Sequence, residues 1–558
     1  LPIAAKDPSP ETSHADTAIL KSGMLPTEAL GIDVSSTAGD ADWWRYLQVW
    51  RGHHDEPATE SIRRWLALPL DREFQSSARR GRVSPAFLPW RAGSFAVVQT
   101  PHFEILSRVN EEQSNLIARD LERCYWVWTQ MYFPLWSGRD QSAVSLADWN
   151  PQDASISQYL TDNASLRLAS GRRHRVVLLP DQRTFELTIS NPQIAAGRPS
   201  TVAASTGFYS SALTTSFFFP QSDRSSIAHE ICHQLFEEAT DRKRSGASKR
   251  SPTETTNEFW LVEGIAGHFE SLQFGDRTAS VGGWDSNRLQ YARYQSLIAR
   301  AAIPTIEQLR GDLRTIQQRA DLPTWYSAAI MQTHFALDSQ FDVGTEPTRR
   351  TKLLAMLAKL YDVDVTDFAS LGISDDSSST SDQRMDGFLM LDDSELISHP
   401  ITGGATSICL AGCEITEAGW ASLPPLPRVT WFDASRTPIT DSSVQRLVND
   451  SKQLEQLSLE ATKITPAIGS LIGNALNLRE IDLSWTTIDD SVIDSLAKCK
   501  SLETIWLTGT PITDQTVAKL ISLPKLMTID VQRTQITEAG LQRLRTAKPG
   551  LELNPLQF

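Results

Sequence analysis

Two histidines four residues apart, with a glutamate between them, carry the most chemistry in this chain: His229-Glu230-Ile231-Cys232-His233. On a helix, side chains at i and i+4 leave from the same face, so the two imidazoles can converge on one metal ion while Glu230 points toward the neighbouring open position. That geometry makes a water-activating zinc site, yet a catalytic zinc takes three protein ligands, so the pair is one short. Glu263, in Trp260-Leu261-Val262-Glu263-Gly264-Ile265-Ala266, is the expected third. Zinc lowers the pKa of its water toward about 7, and Glu230 is then the base that takes the proton and later delivers it to a leaving amine. Cys232 is read as core, because a fourth protein ligand closes such a site.

The run Trp-Leu-x-Glu-Gly-x-Ala following His-Glu-x-x-His resembles the paired zinc helices of gluzincin metallopeptidases, with peptidase-MA-like domains of uncharacterised bacterial secreted proteins as the nearest likeness. The resemblance covers residues 95–370, and its specific motifs lie within residues 227–270. It implies an α+β zincin-like domain, Zn2+ as cofactor, and a protein or peptide substrate. It also implies an oxyanion donor besides the metal. Tyr326, in Trp325-Tyr326-Ser327-Ala328-Ala329, stands at the distance from the third ligand where some gluzincins carry a tyrosine, and His334 competes for the role. By the same analogy an edge strand beside the first zinc helix takes the extended substrate backbone, although its aromatic run serves equally well as core. The Gly-x-Met-Glu-Asn signature of aminopeptidases is missing, so recognition of a free N-terminus is not expected.

The elements that must position these residues are legible. Ser222 and Asp223 offer an N-cap to the first helix, in which Ile227, Ile231 and Leu235 recur at helical spacing. Thr256 or Asn257 is expected to cap the second, with Val262, Ile265, Phe269 and Leu272 as its apolar stripe and Gly275 at its end. Gly267, on the side that carries Glu263, is expected to let the two zinc helices approach closely. Arg175–Leu179 reads as a strand, and Gly207–Tyr209 with Phe217–Phe219 as a further pair.

A second architecture follows residue 400. Ile415-Thr416-Glu417, Ile439-Thr440-Asp441, Ile464-Thr465-Pro466, Ile488-Asp489-Asp490, Ile512-Thr513-Asp514 and Ile536-Thr537-Glu538 recur at intervals of 24, 25, 24, 24 and 24 residues. Strand-like patterns such as Leu478-x-x-Ile481-x-Leu483 precede them, which is the period and pattern of leucine-rich repeats. No single repeat can bury its own apolar face, so six copies are expected to share one core in an α/β solenoid with a strand-lined concave side. Cys413, Thr437, Thr462, Thr486, Thr510 and Thr534 occupy the position usually held by Asn, where a hydroxyl can still bond backbone. Glu480, Asp482, Thr504 and Trp506 are expected to be exposed on the concave face, where a protein partner would sit.

The chain thus reads as multidomain: 1–40 a disordered segment, 41–94 a helical extension packed on the catalytic domain, 95–370 the zincin-like domain, 371–400 a polar linker, and 401–558 the repeats. Two domains so joined are expected to fold independently. A net charge of −14 argues against nucleic acid or an anionic membrane as main partner, and the basic stretch 242–250 is read as a solvated insertion. No apolar run approaches the roughly 20 residues of a membrane span. Five cysteines do not form a disulfide framework. The start at Leu1 and the family likeness point to a secreted or periplasmic protein processed from a signal peptide. Two other classes fit the same residues. One is a non-catalytic repeat protein with a zinc-bearing scaffold, which an intact Glu230 argues against; the other is a zinc hydrolase of a non-peptide bond.

Overall fold

The computed structural model describes residues 38–56, 59–68, 76–168, 171–195, 206–240, 256–274, 279–284, 286–338, 349–363, 385, 387–398, 401 and 404–555. Residues 1–37, the basic stretch 242–250, Gly275 and the serine-rich stretch 373–382 lie outside them. The chain divides into two units, residues 1–282 with 305–377, and residues 283–304 with 378–558.

The first unit is built on a six-stranded sheet: β1 (Ser77–Arg80), β2 (Ala96–Gln99), β3 (Phe103–Ser107), β4 (His174–Leu178), β5 (Phe208–Ser210) and β6 (Thr215–Phe218). Their order is β1-β2-β3-β4-β6-β5, antiparallel at both ends and parallel across β3, β4 and β6. Because side chains alternate along a strand, Ile105, Val176 and Phe218 enter one core while Leu106, Val177 and Phe217 enter another on the opposite face. The first core is the larger and takes up the helices α1 (Ala38–Asp55), α2 (Glu60–Trp65), α3 (Glu111–Met131), α4 (Arg224–Glu238), α5 (Phe259–Phe269), α6 (Leu322–Leu337) and α7 (Arg349–Leu360). Trp50 and Trp65 of the extension are fully buried in it beside Trp126. The extension is not helical throughout: β1 adds a strand to the sheet.

The second unit is a ladder of seven short parallel strands, Ser407–Cys409, Trp431–Asp433, Gln456–Ser458, Glu480–Asp482, Thr504–Trp506, Thr528–Asp530 and Glu552–Leu553. The middle residues Ile408, Phe432, Leu457, Ile481, Ile505 and Ile529 form its buried spine. The threonine positions behave as expected: Thr437, Thr462, Thr486, Thr510 and Thr534 each donate from Oγ1 to the carbonyl three residues back, at 2.6–2.7 Å. The Ile-Thr-Asp triplet has a second function. Thr465, Thr513 and Thr537 accept from the helix that follows, and each gives its own N–H to an aspartate of the preceding repeat, Asp441, Asp490 and Asp514. Just before each threonine or cysteine position the backbone turns left-handed, and only Gly412 and Gly509 do so freely. Arg436, Ala461, Trp485 and Arg533 adopt the same φ of 53–59°, at roughly 1 kcal/mol each.

One helix of this unit comes from elsewhere in the chain. Residues 283–304 leave the first unit, and their helix Asn287–Leu297 covers the start of the ladder. Asn287 Oδ1 and Gln290 Oε1 accept from the N–H groups of Ser407 and Cys409, at 3.2 and 2.9 Å. The buried Arg293 donates to the Leu389 carbonyl and to Cys413 Sγ. The range 401–558 therefore lacks its own amino-terminal cap, because the first strand would otherwise present unpaired backbone N–H groups. Trp506, Glu480, Asp482 and Thr504 are half-buried rather than exposed, since neighbouring strands shield one another; the Trp506 indole donates to Glu480 Oε1 at 3.0 Å.

Candidate metal centre

α4 begins where Asp223 accepts a hydrogen bond from the Ser226 N–H, and it is held over the sheet by polar contacts along one side. Gln234 Nε2 donates to the Arg175 carbonyl of β4, Ser216 of β6 donates to Gln234 Oε1, and Glu238 Oε2 lies 3.0 Å from Nδ1 of His174. α5 starts later than expected. Its N-cap is Glu258, without a side-chain cap bond, and all eleven of its residues are buried, so it is a core helix rather than an amphipathic one.

These two helices bring His229, His233 and Glu263 together, with one ligand atom from each within 4.8 Å of the others. Nε2 of His229 lies 3.1 Å from Nε2 of His233 and 3.4 Å from Glu263 Oε2, and the remaining side of the triangle is 3.8 Å. Ligand atoms around a tetrahedral zinc, bonded at about 2.0–2.1 Å, stand about 3.3–3.4 Å apart. The triangle fits that edge length, and it uses the ε nitrogens, leaving each imidazole's Nδ1 for other contacts.

His229 and Glu263 are buried and His233 half-buried. Burial alone would push His229 toward the neutral form. The close Glu263 and Glu270 carboxylates, with the charge of Glu230, outweigh it and raise the pKa to about 10. Three carboxylates around two imidazoles leave an excess of negative charge in a place that water reaches poorly, which is the condition a dication relieves. The donor set therefore fits zinc.

Glu270 was not foreseen. Its Oε1 lies 2.8 Å from His229 Nδ1, an ion-pair distance without the angle of a hydrogen bond, on the side of the ring from which a carboxylate can orient a metal-binding imidazole. Glu230 stands apart from the triangle. Its Oε2 accepts the backbone N–H of Tyr209 at 2.7 Å, placing the carboxylate against β5, the terminal strand of the sheet. A Cβ on Gly207 would meet the Phe218 ring at 2.8 Å and Glu230 Cγ at 3.1 Å, so a glycine lets the chain pass close to both.

Gly267 does not face α4. A Cβ there would strike Ile330 of α6, and one on Gly264 would strike Thr333 Oγ1 and the Ala329 carbonyl. The small residues on α5 thus serve its packing with α6, while α4 and α5 meet through Cys232, whose Sγ approaches the Ile265 carbonyl at 3.9 Å in full burial. Tyr326 is half-buried on α6, its ring edge-on to Trp325 at 5.2 Å. His334, two turns further on, is buried against His268 with ring centroids 4.5 Å apart, and burial lowers its pKa to about 4.

No family model and no curated protein matches the chain. Among solved structures it is similar to an internalin (inlF) from Listeria monocytogenes, at 18% identity and a TM-score of 0.22, covering 28% of this chain and 49% of that one. An internalin C2 of the same organism matches at 18% identity and a TM-score of 0.21, covering 30% of this chain and 83% of that one. The chain spans about half the length of the first of these relatives. Among the described residues no helix is long and apolar enough to cross a membrane, and the five cysteines are free. By its period and its parallel ladder, the second unit is a leucine-rich-repeat array.

Proposed function

We propose that the chain is a zinc-dependent metallopeptidase of gluzincin type whose leucine-rich repeats recruit a protein substrate or partner. The observation that carries this reading is the triangle of His229, His233 and Glu263, with the carboxylate of Glu230 held outside the ligand set. His229, His233 and Glu263 would hold zinc, which supplies Lewis acidity for a scissile carbonyl and for water. Glu230 is the general base. Its bond to the Tyr209 N–H fixes the carboxylate at the edge of the sheet, so a proton taken from the attacking water can be returned to the departing amine across a short distance. Glu270 is a positioning residue that holds the His229 ring. Tyr326 is the proposed oxyanion donor; His334, shut in beside His268, serves packing.

Incubation of the purified chain with an unbiased peptide library tests this reading. Cleavage is expected, with loss on chelation and recovery on adding zinc. Zinc binding without cleavage of any peptide would favour a scaffold or a non-peptide substrate.

A further inference from the structure

Along the ladder, the first and third residues of each strand share the face opposite the buried spine. Across the seven strands these positions hold five carboxylates and no lysine or arginine; Asp433 and Asp530 are buried, and Glu480, Asp482 and Glu552 are the more accessible three. The surplus is local. At the edge of the same strands acids are matched by bases, with Arg479 2.9 Å from Glu503 and Arg436 3.3 Å from Glu460. Among the described residues Glu480 and Asp482 have no such partner. Glu480 accepts from Gln456 Nε2 and the Trp506 indole, and Asp482 accepts from the Ser484 backbone N–H.

Aromatic rings frame the two carboxylates. Trp506 stands beside Asp482 in register, and Trp431 lies two strands away, its ring edge-on to Tyr294 of the inserted helix at 5.5 Å. All are half-buried. Half-buried carboxylates with no counter-ion, bordered by indole faces, match a guanidinium or ammonium group, which is held by charge at its edge and by π density at its face.

We propose that this face, centred on Glu480, Asp482, Trp506 and Trp431, docks an extended arginine- or lysine-bearing segment of a protein partner. The inference deepens the reading of the repeats as the recruiting part of the molecule and rests on it; the metal centre has no part in it. Charge complementarity selects the occupant. The cost of leaving the face empty supports it: burial and the nearby Glu460 and Asp433 hold the Asp482 proton far more tightly than an ordinary aspartate would.

The test is fluorescence anisotropy of the full chain with a labelled peptide of alternating arginine and serine, at near-physiological salt, with a glutamate–serine peptide as control. Glu480→Gln/Asp482→Asn is expected to weaken binding at least about tenfold, and Trp506→Phe several-fold. Asp494→Asn/Glu538→Gln, which removes the same charge from exposed helix positions, should change it by less than about twofold. Circular dichroism checks that each variant is folded. Equal weakening by both double variants, or none by the first, overturns the proposal, since the peptide would then be answering only the overall charge of −14. Much tighter binding once residues 242–250 are deleted also overturns it, by making the chain's own basic stretch the occupant. Every one of these readouts is independent of zinc and hydrolysis.

Discussion

Removing the carboxylate of Glu270 tests the architecture of the metal centre without touching a proposed ligand. Its Oε1 lies 2.8 Å from His229 Nδ1, and the two side chains are only 11% and 9% exposed, so the ion pair sits in a place of low dielectric. Outer-shell partners of this kind are worth about 10–100-fold in metal affinity, or about 1.4–2.7 kcal/mol. Glu270→Gln keeps an acceptor oxygen and loses the charge, so the expected weakening is about tenfold; Glu270→Ala loses both and should approach a hundredfold. Competition between the apo protein and a zinc-binding dye reads the affinity directly. Zinc affinity unchanged in Glu270→Ala would remove the residue from the centre. A loss as complete as that of Glu263→Ala would instead make it a ligand, contrary to the geometry.

Other expectations follow from packing and charge. Gly264→Ala would place a Cβ 2.2 Å from Thr333 Oγ1 and 2.8 Å from a backbone oxygen, so α5 and α6 must part, at a cost of about 1–3 kcal/mol; an unchanged melting temperature refutes this. Asp482 has its pKa pushed up to about 6, mainly by burial, so it binds its proton more tightly folded than unfolded. Its contribution to stability is therefore greatest below about pH 4 and is lost as pH rises through about 6. Asp482→Asn should stabilise the repeats at pH 7 by about 1–2 kcal/mol, discounted for partial exposure, and flatten that pH dependence; an unaltered denaturation profile would contradict it. Cutting the chain near Ser379 should uncover the helix Asn287–Leu297, because its buried side chains Leu289, Gln290, Ala292 and Arg293 face the repeat unit. Trypsin should then cleave after Arg288 and Arg293, and protection equal to that of the intact chain would show that the helix needs no repeats.

What the sequence disclosed and what it hid differ in physical kind. The convergence of His229, His233 and Glu263 was legible because spacing on one helix, and a ligand count on the next, are local properties. The repeats were legible because each copy repeats the same buried pattern, down to the threonine hydroxyls that bond backbone. Glu270 was not, since its approach to His229 depends on how two helices cross rather than on any spacing within either. Gly267 announced a close approach but could not say to which helix; the partner is α6. The inserted helix gave little signal, because the face it buries includes Gln290 and Arg293 and looks solvated until the strand that needs those donors and acceptors is in place. Four of the six left-handed positions in the repeats carry side chains, so glycine did not mark them.

The most direct test of the central claim pairs zinc content with peptide cleavage in Glu230→Gln. Glu230 lies outside the ligand triangle but against the strand beside it, so the substitution should leave stoichiometric zinc in place while turnover falls by about 10²–10⁴. Retained zinc with undiminished cleavage would contradict the assignment of Glu230 as the base. Loss of zinc from this variant would contradict the metal centre as drawn.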